Sequence, residues 1–124
     1  MLFGEKEAEG EKMNFSEAVE ILYTMKKYPG MFVTDYKNYD MISSFIDGYL
    51  TALSLFSKEY TNGNTDSSIG QDFIKWYNIE KSNGKKSNVV LSHRLRYENE
   101  NLSDEQLIDK YIDTVIEFLN DRIK

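Results

Sequence analysis

A chain of 124 residues fits one domain, which at this size can bury about two thirds of its unfolded surface. Apolar residues at 40% and aromatics at 14% suffice for a packed core despite 29% charged residues, and the absence of cysteine excludes disulfide frameworks, thiol nucleophiles and Cys-type zinc sites while fitting a reducing cytoplasm. A net charge of −6 argues against direct binding to nucleic acid, where Lys and Arg must replace counterions, and favours a basic partner.

Residues 1–12 alternate Glu and Lys with glycines and read as a mixed-charge lead-in to a helical domain over 13–124. Acids stand where an export signal needs a basic start and an apolar core, so no such signal is expected. The longest apolar-leaning run, Tyr49 to Phe56, is interrupted by Thr51 and Ser54 and falls far short of the roughly 20 residues a bilayer needs.

Asn14 with Glu17 forms a candidate capping box, and Phe15, Ala18, Val19, Leu22 and Met25 recur at helical spacing, which predicts a first helix to about Lys27. Pro29 disfavours helical geometry at Tyr28, and Gly30 permits positive φ, so this stretch should end the helix and turn the chain. Met31, Phe32 and Val33 are expected to run extended across the core. A second helix should start near Asn38, with Met41, Ile42, Phe45, Ile46, Tyr49, Leu50, Leu53 and Phe56 on a broad apolar arc. Its polar side is mild, so it is expected to be the most buried element. Gly48 within it suggests close approach of a neighbouring backbone.

Thr61 to Ser68 is a loop by composition, with Asp66 and Ser67 as N-cap candidates for a third helix carrying Ile69, Phe73, Trp76 and Tyr77 on one face. The stretch after Ser87 is ambiguous between strand and helix. Val89 and Val90 favour the former, Leu91 and Leu95 at a spacing of four the latter, and a short helix is the reading adopted. Ser103 and Gln106 make a capping box for a final helix whose inner face is Ile108, Tyr111, Ile112, Val115, Ile116 and Leu119. These elements predict an all-α, single-domain bundle of four to five helices.

No P-loop, Gly-x-Gly-x-x-Gly, His-Glu-x-x-His or Gly-x-Ser-x-Gly motif occurs, and the one histidine, His93, excludes a His-rich metal site. His93 is read as a surface or interhelical hydrogen-bonding residue, and an enzyme built on it with nearby carboxylates is the least favoured function. No cofactor is implied. On the final helix Glu105, Asp109, Asp113, Glu117 and Asp121 repeat at every fourth residue, each step advancing about 40° and placing the carboxylates in one ribbon. Such a ribbon is either the solvated face opposite the apolar one or a surface shaped for a basic protein. Lys81, Lys85, Lys86, Arg94 and Arg96 collect upstream and suggest a polarised molecule. Among nine tyrosines, Tyr36, Tyr39 and Tyr60 fall off the clear apolar faces, and Tyr36 and Tyr39 are taken with the ribbon as candidate partner contacts.

Four motifs carry a resemblance: Pro29-Gly30-Met31-Phe32, Phe45-Ile46-Asp47-Gly48-Tyr49, the pair Phe73 and Trp76, and Phe118-Leu119 late in the final helix. Over residues 13–120 the chain resembles small bacterial immunity proteins of polymorphic and contact-dependent toxin systems. The resemblance implies a cytoplasmic protein that binds and neutralises a cognate toxin domain, expected to be a basic nuclease, without catalysis of its own. A regulatory or adaptor module binding some other protein is the alternative.

Overall fold

The computed structural model describes residues 14–56, 69–82, 87 and 89–123. The lead-in at 1–12, the loop with Tyr60, Asp66 and Ser67, and Lys85 and Lys86 lie outside the described residues, as does the side chain of Phe56. Five α-helices and a single 3₁₀ turn make up the described elements, with no strand among them, and the all-α single-domain expectation holds. The helices are α1 (Phe15–Lys27), α2 (Tyr39–Phe56), α3 (Ile69–Glu80), α4 (Leu91–Glu98) and α5 (Asp104–Ile123), with the turn at Pro29–Met31.

Both helix starts are capped as expected, the Ser103–Gln106 one as a full capping box and the Asn14–Glu17 one in part. The Asn14 side chain accepts from the Glu17 amide at 2.8 Å and donates to the Glu17 carboxylate at 2.6 Å. Ser103 and Gln106 exchange reciprocal bonds, the Ser103 amide to the Gln106 side chain at 2.9 Å and the Gln106 amide to the Ser103 hydroxyl at 3.2 Å. Each satisfies amides that a helix start otherwise leaves without partners. Asn38 caps α2 by accepting from the Met41 amide at 3.1 Å.

The central helix is α5, not α2 as its composition suggested. Leu107, Tyr111, Thr114 and Phe118 form one buried stripe and Ile108, Ile112, Val115 and Leu119 an adjacent one, because α5 is packed by α1, α2 and α4 together. The first stripe meets α3: Phe73 stacks on Phe118 at 4.8 Å between ring centroids, and Trp76 meets the same ring edge-on at 5.5 Å. Each fully buried aliphatic or aromatic side chain in such a core contributes roughly 1.5–3 kcal/mol. On α2, Ile42, Ile46, Leu50 and Leu53 are buried, but Met41 and Phe45 are exposed at 51% and 40%. The apolar arc is wider than the surface its neighbours cover.

The segment after α1 also departs from expectation. The helix ends and the chain turns at Pro29 and Gly30 as expected, but the 3₁₀ turn continues through Met31, with the Phe32 and Val33 amides both donating to the Pro29 carbonyl, where an extended run is expected. Met31 is exposed, whereas Phe32 and Val33 pack against the core. Gly30 does not take a positive φ. A Cβ there would stand 3.3 Å from the Tyr36 ring, so the glycine makes room for that ring. Gly48 has open space around it, and no neighbouring backbone approaches it.

Candidate functional site

The five carboxylates of the ribbon line one side of α5, but they do not form a uniform anionic strip. Lys26 of α1 pairs with Asp113 at 2.6 Å, and Lys81, just past α3, pairs with Glu117 at 2.6 Å. Asp121 accepts from the Trp76 indole nitrogen at 2.7 Å. These three acids are thus stitched to neighbouring elements. The hydrogen bond that Lys26 donates to Asp113 raises the Lys26 pKa above its ordinary value, an effect that slight burial opposes and the nearby charges of Asp113 and Asp109 reinforce.

Glu105 and Asp109 differ. Both are exposed, and among the described residues neither makes an ion pair. They line a cleft of about 260 Å³ whose other walls are Pro29, Tyr36, Lys26 and Lys37, with Met25 and Ile108 of α1 and α5 completing it. Two features singled out separately in the sequence, the ribbon and Tyr36, therefore meet in one place. Tyr36 is 41% exposed and Lys37 lies 6.0 Å from its ring centroid, so the ring is held yet reachable.

Tyr39 is a correction. It is only 1% exposed, and its hydroxyl donates to the Ser92 carbonyl at 2.5 Å, so it is a core residue and no surface contact. It opens α2, where the Asp104 carboxylate of another helix accepts from its amide at 2.9 Å. Burial, followed by the charge of Asp47, pushes its hydroxyl pKa well above the usual tyrosine range.

The expected basic collection also comes apart. Arg94 is 1% exposed, with its Nε on Glu98 at 2.9 Å, its Nη1 on Asn78 at 2.5 Å and its guanidinium 4.9 Å from the Tyr77 ring centroid. Arg96 pairs with Asp40 at 3.0 Å and reaches Asp104 at 3.7 Å over the Tyr39 ring. These cations hold helices together, and the described ones do not form a basic face.

A larger cavity, of about 690 Å³, opens between α2, α3 and α4. Leu50, Phe73, Ile74 and Leu91 make its apolar wall, while Asp47 and His93 contribute polar groups. Asp47 accepts from the Tyr111 hydroxyl and, at 2.8 Å, from the Ser92 hydroxyl. The sequence reading passed over this group, although Asp47 is the one charged residue between 41 and 56 and stands out for that reason. Tyr111 is pushed well up from its ordinary pKa, chiefly by burial and then by the Asp47 charge.

Among the described residues there is no group of three or more Asp, Glu or His that could hold a metal ion, and no helix long and apolar enough to cross a membrane. Comparison with family models, with curated proteins and with solved structures found no match.

Proposed function

We propose that this chain is an immunity protein, a cytoplasmic helical domain that binds a cognate bacterial toxin domain with a basic surface, of which a nuclease is the leading kind, and blocks it. The observation that carries the reading is the cleft that Tyr36, Glu105 and Asp109 line together with Met25, Pro29 and Ile108, at whose edge Lys26 is already paired with Asp113 and Lys37 lies by the Tyr36 ring. A reachable aromatic ring next to two carboxylates free of ion pairs suits a protruding Lys or Arg side chain, which would stack on the ring and pair with an acid. The acidic net charge assists by speeding encounter with a basic partner at low salt.

The test starts with capture. The chain is used as bait in a lysate of its source bacterium, first at low and then at moderate salt, and a toxin-like basic fragment that elutes as salt rises is the expected result. Association of that fragment is then compared between the native chain and a Glu105→Gln, Asp109→Asn double variant. The variant should associate about tenfold more slowly at low salt, with its thermal midpoint unchanged. An unchanged on-rate would refute the role of the cleft. Capture of a housekeeping protein in place of a toxin would favour the adaptor alternative.

A further inference from the structure

The cavity beside Asp47 shares no lining residue with the Tyr36 cleft and has a different chemistry. Its described lining contains one acidic residue, Asp47, and no Lys or Arg. Each Asp47 oxygen accepts one hydrogen bond, Oδ1 from Tyr111 and Oδ2 from Ser92, and both donors are neutral hydroxyls. No ion pair joins Asp47 among the described residues. A carboxylate oxygen can accept a second bond, so the group retains capacity.

The carboxylate is also held still. Tyr111 is wedged between Phe73, at 6.3 Å, and Tyr39, at 6.2 Å, and the Tyr39 hydroxyl in turn anchors the Ser92 carbonyl. An oriented anion at the side of a mostly apolar cavity, whose other polar lining is Thr51, Ser54, Gln71, His93 and the Tyr111 hydroxyl, is complementary to a ligand with a cationic head and an apolar body. An anionic ligand would meet repulsion from Asp47, and a neutral one would leave its charge unanswered. The volume, about 690 Å³, falls within the range of small-molecule sites.

We propose that this cavity binds a small organic amine, its ammonium group hydrogen-bonded to Asp47 and its aromatic or aliphatic body against Leu50, Phe73 and Ile74. The full chain is titrated with three probes of one shape: 4-phenylbutylamine, the neutral 4-phenylbutan-1-ol and the anionic 4-phenylbutanoate. Amide resonances are followed by nitrogen-resolved NMR. The amine should shift Leu50, Ile74 and Leu91 saturably and bind about tenfold more tightly than the alcohol, with the carboxylate weakest. Asp47→Asn should reduce the amine to the affinity of the alcohol. Ile74→Trp, which fills the cavity and leaves the Asp47 hydrogen bonds in place, should abolish both.

The proposal is overturned if no probe gives a saturable shift at the cavity, if amine and alcohol bind equally, or if the shifts are confined to the carboxylates of α5. An amine preference that survives in Asp47→Asn overturns it as well. Should Asp47→Asn fail to fold, the comparison of probes on the native chain and the Ile74→Trp variant decide the matter.

Discussion

Arg94 shows how much a single side chain can depend on its surroundings. In sequence it is one cation among several; in the fold it is buried and bound through separate nitrogens to Glu98 and Asn78, with its face toward Tyr77. A planar guanidinium can meet those partners in a way an ammonium cannot. Replacement by Met should cost about 2 kcal/mol, less than breaking a fully buried pair because Glu98, 28% exposed, can turn to water. Arg94→Lys should recover less than half of that, as read by urea unfolding. Equal stability of the Lys variant and the native chain would show that charge alone suffices.

At the scale of the element, the two glycines of the resemblance motifs have opposite roles. Gly48 lies inside α2 with open space where a Cβ would go. Gly48→Ala should therefore stabilise the protein by about 0.5–1 kcal/mol, the usual difference in a helix interior. Gly30→Ala should not, since its Cβ would press on the Tyr36 ring at 3.3 Å. Thermal unfolding of the two variants side by side checks both signs.

Helix existence, caps and inner faces were legible because period and capping chemistry are local. The Ser103–Gln106 box and the Ile108 to Leu119 face appear in the structure as read. Which helix sits at the centre was not legible, because a periodic face says that something covers it without saying what. Tyr39 was misjudged for the same reason, since its burial depends on Asp104 and Ser92, 65 and 53 residues away. In the candidate site, the carboxylates and Tyr36 could be named in advance. Their meeting in one cleft follows from tertiary packing that brings the segment after the Pro29–Gly30 turn against α5, which no local pattern announces.

Over the whole molecule, the buried and half-buried tyrosines tie stability to alkaline pH. Tyr111, Tyr39, Tyr77 and Tyr49 all have hydroxyl pKa values raised by burial from the ordinary 10.0. The folded state therefore keeps these protons where the unfolded chain releases them. Their contribution to stability is fully present below pH 10 and is lost as pH rises from there through the folded values. Denaturant midpoints should fall above pH 10, and the decline should be shallower in Tyr77→Phe than in the native chain. Phenolate absorbance should lag for the buried rings and then appear together with unfolding.

The partition of the α5 ribbon has an evolutionary consequence. Asp113 and Glu117 are coupled to Lys26 and Lys81, so a change at either end of a pair leaves a charge facing nothing, whereas Glu105 and Asp109 make no ion pair among the described residues. Sequence drift can thus alter the cleft by single steps, and the interhelical pairs would change only two residues at a time. The proposed partner contacts share one helix with its structural pairs but are exposed to selection separately.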